Sequence, residues 1–292
     1  MSLVLRRTRL VLDMIKFEHT IFALPFAMIS MLLASHTLHR TAPGIGTVLW
    51  ILLAMVGARS AAMTFNRLAD HELDSHNPRT AKRHLPAGAI SRTHAWIFLG
   101  VAIAVFELAA FSLNRLCFAL SPVALAAVLG YSYTKRFTSL CHLFLGFAIG
   151  IAPIGAWMAV RGDLSPVSLL LGLAVLLWIG GFDIIYALQD YDYDCSTSLF
   201  SLPKRLGKSK ALTISRVMHT VLIGVLLAAG VLAHLHIIAA VGLVVVTGLI
   251  VYEQALVKPD DLSRVDLAFF TLNGWVSMTL FLFVLVDCLC YR

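Results

Sequence analysis

The sequence predicts an all-α integral membrane protein of about nine transmembrane helices, arranged as two diverged four-helix repeats plus one further helix. Three observations carry this. Of 292 residues, 59% are hydrophobic and 13% charged, with a mean hydropathy of +0.86; a soluble domain carries about 25% charged residues. The chain divides into apolar runs of about 20 residues, the length that crosses a bilayer as a helix. Two long polar loops follow the second and the sixth of these runs, and Asp70 precedes Asp190 by 120 residues. One transmembrane domain, 1–292, is expected, with a short basic segment at 1–17.

Taken in order, 3–17 (LVLRRTRLVLDMIKF) reads either as a basic amphipathic helix on a membrane surface or as a solvated tail. No signal-peptide pattern is expected there. The spans fall at about 20–38, 46–66, 94–112, 116–134, 141–160, 166–187, 212–233, 235–255 and 267–290. Only "HLH" separates the seventh from the eighth. Of 23 Lys and Arg, 18 fall in connections on the N-terminal side and four on the other; Arg59 lies inside a span. By the positive-inside rule the N-terminus is cytoplasmic, in a multi-pass inner-membrane arrangement. The net charge of +7 is accounted for by these loops, and no nucleic-acid partner is expected. Cys117, Cys141, Cys195, Cys288 and Cys290 form no CxxC pair and read as inert thiols.

The long loops, about 67–93 and 188–211, carry the chemistry. Asn66, Asp70 and Asp74 fall within an arc of about 80° if the helix continues, and Arg59 shares that face. Asp183, Asp190 and Asp194 repeat the pattern, with Asp192 pointing away. One acidic stretch at a helix end is a solvated loop; two at matching helix ends read as a site. Such a cluster of carboxylates needs cations, and hard oxygen ligands select Mg²⁺ or Ca²⁺, often completed by phosphate oxygens. Arg67, Arg79, Lys82, Arg83, Lys135 and Arg136 can hold phosphate. Together these describe a diphosphate site at the cytoplasmic helix ends, its floor open to an isoprenoid tail in the bilayer. For Arg59 and Asp183, an internal ion pair and substrate contact both stay open. Tyr131, Tyr133, Tyr186, Tyr191 and Tyr193 read as carbocation-facing rings or as interfacial residues. Glu107, Glu253 and Asp287 are assigned no role, and His84, His94, His142 and His219 show no metal-ligand spacing.

At "NRLADHELDSHNPRTAKRHLPAG", "YSYTKRFT", "DIIYALQDYDYD" and "SLP…LG" the sequence resembles the UbiA superfamily of membrane prenyltransferases. "IKFEHTIFALPFA" is similar to its quinone-pathway branch. The resemblance covers nearly the whole chain. It implies nine helices around a central cavity and transfer of a polyprenyl group from its diphosphate to an aromatic ring. It implies that Asn66, Asp70 and Asp74 hold one Mg²⁺ and Asp190 and Asp194 a second. Lys135, Arg136 and Arg79 would grip the diphosphate, with Arg59, Arg67, Arg83, Tyr133, Asp183, Tyr186 and Ser201 around the substrates. The acceptor that the resemblance implies is 4-hydroxybenzoate or a dihydroxy-naphthoate. Ser198 and Phe200 depart from the family's pattern, which has a Gly and then a basic residue before Ser201. A secondary transporter is the rival reading, but its acids would lie near the bilayer midplane at broken helices. The pattern of CDP-alcohol phosphotransferases is absent, and haem or chlorophyll acceptors fit the quinone-branch wording less well.

Overall fold

The computed structural model describes residues 13–14, 23–39 and 42–291. The surface helix or tail expected over 3–17 falls outside these residues, save Asp13 and Met14, which are helical. The long helices are α1 (Leu24–His39), α2 (Ile45–Ala69), α4 (Arg92–Leu113), α5 (Arg115–Thr134), α6 (Cys141–Arg161), α7 (Pro166–Ala187), α10 (Lys208–Leu232), α11 (Ile237–Leu256) and α12 (Asn273–Cys290). Short helices α3 (His71–His76), α8 (Tyr191–Ser196) and α9 (Leu202–Leu206) sit in the two long loops. A six-residue π-helical segment, Leu267–Leu272, leads into α12. Eight of the described helices are long and apolar enough to cross a membrane. The first expected span is represented by the shorter α1, because 15–22 lie outside the described residues.

Local chemistry sets the helix ends. Ser91 and Asn114 cap α4 and α5 by accepting from the backbone N–H of His94 and Cys117. Ser165 and Ser168 form a capping box at the start of α7, with Pro166 in its first turn. Gly162 closes α6 in the left-handed conformation, φ 71°, which glycine adopts without steric cost. The "HLH" turn between α10 and α11 contains His234 at φ 53°.

α7 is the central helix. Trp178, Val175, Ile179 and Phe182 on it pack with Phe26 of α1, Leu222 of α10 and Val276 of α12. Gly146 and Gly150 of α6 let that helix close on α7. A Cβ at Gly146 would stand 2.4 Å from the Leu176 carbonyl oxygen, and one at Gly150 2.6 Å from that of Gly172. Small residues at such spacing let helix backbones meet where lipid supplies no hydrophobic drive. Ile45, Trp96, Phe111, Val244 and Trp275 are exposed on the outside, as a lipid-facing surface requires.

One expectation needs correction. The helices do not run unbroken through the two acidic stretches: α2 stops at Ala69, and α7 passes through a 3₁₀ turn, Leu188–Asp190, before α8. The shared face survives at the first break. Asp70 N–H still donates to Asn66 O at 2.9 Å, and Asp74 N–H to Asp70 O at 2.7 Å, so the i to i−4 ladder bridges it.

Candidate active site

A cavity of about 830 Å³ opens where α2, α5, α6 and α7 end beside the two long loops. The first acidic stretch forms one side. Asn66 Nδ2 donates to Asp70 Oδ2 at 3.0 Å and reaches Ser132 Oγ at 3.5 Å. Asp70 is buried, with Lys135 Nζ 2.6 Å from Oδ2 and Arg136 Nη2 3.4 Å from Oδ1. Asp74 is also buried and accepts from Arg83 Nη1 at 2.7 and 2.9 Å. Arg67 Nη1 stands 4.0 Å from Asp74, while its Nε donates to Met14 O at 3.5 Å. The loop after α3 folds back here through Thr80 Oγ1, which donates to Asp74 O at 3.0 Å.

The second stretch forms the facing side, and the first loop crosses to it. Arg79 forks onto Asp190, with Nε 2.8 Å from Oδ1 and Nη2 bonded to Oδ2. Its Nη1 donates to the Tyr186 hydroxyl oxygen at 2.9 Å. Asn77 Nδ2 donates to Asp190 Oδ1 at 3.0 Å. Burial works against the charge of Arg79, but the bonds and charge of Asp190 outweigh it and raise its pKa above the usual arginine range. Tyr193 OH donates to Leu73 O at 3.1 Å, a second link between the two stretches. Asp194 is buried and lines the cavity; Asp192 is exposed and does not.

The fold brings thirteen of the fifteen expected site residues to this cavity: Arg59, Asn66, Arg67, Asp70, Asp74, Arg79, Arg83, Lys135, Asp183, Tyr186, Asp190, Asp194 and Ser201. Two stand elsewhere. Arg136 lies behind Asp70, where its Nη2 also donates to Ala69 O at 2.5 Å. Tyr133 is exposed, packed edge-on against Phe65 and under the Arg136 guanidinium, while Tyr131 lines the cavity instead. Two residues apart on a helix point in directions about 200° apart, so only one of the pair can face inward.

Three further residues emerge from the packing. Asn77, within the "HNPRT" run, bridges the halves. His142 meets Asp183, its Nδ1 2.6 Å from Oδ2. Lys204 Nζ donates to Thr197 O at 2.6 Å and Leu199 O at 2.8 Å, stitching the turn in which Ser198 and Phe200 depart from the family pattern. Phe200 is tied by its backbone, donating N–H to Lys135 O at 2.8 Å.

Among the described residues no three His, Cys, Asp or Glu side chains gather closely enough to cage a metal. The acids come in pairs, accompanied by the Asn66 amide. An all-oxygen set with no more than two carboxylates at a position suits a hard cation that completes its shell with water and phosphate oxygens. Toward the interior the cavity turns apolar and aromatic, with Met63, Leu145, Ile149, Ile179, Phe182 and Phe269.

The geometry therefore pairs a charged mouth with an apolar interior. A 4-hydroxybenzoate octaprenyltransferase of Alkalilimnicola ehrlichii is 31% identical over 246 residues, 84% of this chain and 83% of its own. The apo structure of a UbiA homolog from Aeropyrum pernix K1 superposes with a TM-score of 0.83 at 36% identity, covering 92% of this chain and 98% of that one. A UbiA homolog from Archaeoglobus fulgidus bound to GPP and Mg²⁺ shares the fold, with a TM-score of 0.71 at 16% identity, covering 96% and 99%. The model of the UbiA prenyltransferase family matches residues 23–277, and the chain belongs to that family.

Proposed function

We propose that this chain transfers a polyprenyl group from polyprenyl diphosphate to 4-hydroxybenzoate or a dihydroxy-naphthoate, in respiratory quinone biosynthesis. One observation carries the reading: both acidic stretches, with their bases, converge on one cavity whose interior is apolar. The name of the Alkalilimnicola relative points to the same chemistry. Asn66, Asp70 and Asp74 on one side and Asp190 and Asp194 on the other would hold Mg²⁺ with the diphosphate, and the ion would supply positive charge that eases loss of the leaving group.

The chain's own residues supply the rest. Lys135, Arg79 and Arg83 now neutralise acids; turned to the diphosphate, they hold its oxygens in fixed positions and stabilise the charge that builds as the C–O bond breaks. Arg136 and Arg67 keep Asp70 and Asp74 oriented. Ile149, Ile179 and Phe182 exclude water from the allylic cation, and the Tyr186 and Phe269 rings, stacked 4.1 Å apart, offer π faces beside it. The acceptor ring attacks the cation and then loses a proton. The Lys and Arg asymmetry of the loops supports a site facing the cytoplasm, where soluble acceptors arrive.

The test is purified protein in detergent with radiolabelled polyprenyl diphosphate, each aromatic acid offered alone, with Mg²⁺ or with EDTA. Prenylation of one ring, lost with EDTA, is the expected result. Folded protein that labels neither ring sinks the reading.

A further inference from the structure

The pair formed by His142 and Asp183 lies on the cavity wall, apart from the acids that face Lys and Arg. Asp183 is on α7, one turn before Tyr186 and two turns before Asp190, so it lies roughly 10 Å deeper along the helix axis than Asp190. Its side chain is 23% exposed, into the cavity, while that of His142 is 4% exposed. Asp183 Oδ2 meets His142 Nδ1 at 2.6 Å. The other ring nitrogen, Nε2, faces the backbone N–H of Leu202 at 3.4 Å. A backbone N–H can only donate, so Nε2 accepts and the ring proton sits on Nδ1, directed at Asp183. Leu202 is fixed in turn as the first residue of α9, whose N-terminal turn Ser201 caps by accepting from Lys204 N–H.

The surroundings suit an aromatic ring. Phe182, next to Asp183, stands edge-on to Phe269 at 5.1 Å, and Tyr186 stacks on Phe269 at 4.1 Å. The depth suits the reaction too. With a diphosphate held by Arg79 and Lys135 at the level of Asp190, its first prenyl carbon and the ring carbon that attacks it would lie farther in, toward Asp183. In the reading above Asp70, Asp74 and Asp190 serve the metal and stand beside Lys135, Arg83 and Arg79; Asp183 faces instead the His142 ring, whose Nδ1–H orients its carboxylate.

We propose that Asp183 is the base that takes the ring proton of the acceptor and that His142 is its positioning residue; this rests on the prenyl-transfer reading above. The step balances. The new C–C bond leaves the ring cationic, the C–H electron pair returns to the ring, the proton moves to Asp183, and solvent collects it after the product leaves. The phosphate oxygens carry away the C–O electron pair. His142 keeps its Nδ1 proton throughout.

The test compares acceptors bearing hydrogen or deuterium at the prenylated ring position, in the wild type and in Asp183→Asn, His142→Leu and His142→Asn. In the wild type the isotope effect is expected near unity. Asp183→Asn should lower kcat by about 10²-fold or more, with the KM for polyprenyl diphosphate little changed, and should expose a primary isotope effect. His142→Leu should lose part of kcat, and His142→Asn, whose amide N–H can take the place of Nδ1–H, should recover most of it. A wild-type rate in Asp183→Asn, or a slow rate without an isotope effect, overturns the assignment and sends the proton elsewhere, the departing diphosphate included. If Asp183→Asn does not fold, the same isotope readout on the two His142 variants decides. A wild type that prenylates no ring overturns the prenyl-transfer reading itself, and this assignment with it.

Discussion

Asp70 and Asp190 share one backbone conformation, φ −96°, ψ 8° and φ −97°, ψ 5°, and each ends one helical segment and opens a six-residue helix. Both lie in the bridge region of backbone space, where many active-site residues sit. The breaks turn Asp74 and Asp194 inward at the same offset, and Tyr193 OH bonds across to Leu73 O. The proposed diphosphate clamp is therefore built twice with one local geometry. Asp70→Ala and Asp190→Ala should each reduce Mg²⁺-dependent turnover by about 10²-fold or more, the scale of losing one fixed charge at a transition state. Activity in detergent, with size-exclusion behaviour as the check on folding, measures this; near-wild-type turnover in either variant removes that residue from the site.

Arg79 is the second point of leverage. It forks onto Asp190 and also reaches Tyr186, so it joins the first loop to the second acidic stretch. Lysine keeps the charge but has no planar fork, and cannot hold both partners at once. Arg79→Lys should lower kcat/KM for the prenyl diphosphate by about tenfold, equivalent to about 1.4 kcal/mol. Steady-state kinetics at saturating acceptor reads it. Unchanged kinetics would mean the fork is incidental.

The spans were legible because each is an apolar run between charged loops, and the acids because they recur at matching helix ends. The break at Asp70 was not, since its i to i−4 bonds persist and the residue pattern reads as one helix. Tyr131 and Tyr133 stand in one motif, and only the seating of α5 decides which ring faces the cavity. The His142–Asp183 contact joins residues 41 apart, and it depends on the close approach that Gly146, Gly150 and Gly172 allow between α6 and α7. The part that Lys204 plays in its neighbouring turn was invisible, because it enters that turn from α9 and bonds only to backbone carbonyls.

Two outward-facing residues should tolerate change. Asp192 is exposed beside the buried Asp194, and the Tyr133 ring packs on Phe65 away from the cavity. Asp192→Ala and Tyr133→Phe should keep stability within about 0.5 kcal/mol and turnover near wild type. A deep loss of turnover in Asp192→Ala would mean that this carboxylate reaches the substrate after all, and the same loss in Tyr133→Phe would restore its hydroxyl to the site.

The close contact between α6 and α7 makes a sharper demand. Gly146→Ala would place a methyl group 2.4 Å from the Leu176 carbonyl oxygen, a backbone atom that can yield only if one helix moves. Overpacking of this kind costs about 1–3 kcal/mol. Because Gly146 lies one turn from His142 on α6, the displacement should also part His142 from Asp183. Thermal unfolding in detergent should shift down, and kcat should fall more than the affinity for prenyl diphosphate, whose diphosphate-binding side chains lie on other elements. Gly100, where a Cβ would meet nothing within 4 Å, is the control: Gly100→Ala should leave both measurements unchanged. Equal effects at Gly146 and Gly100 would mean that α6 and α7 are not held at this distance by their glycines.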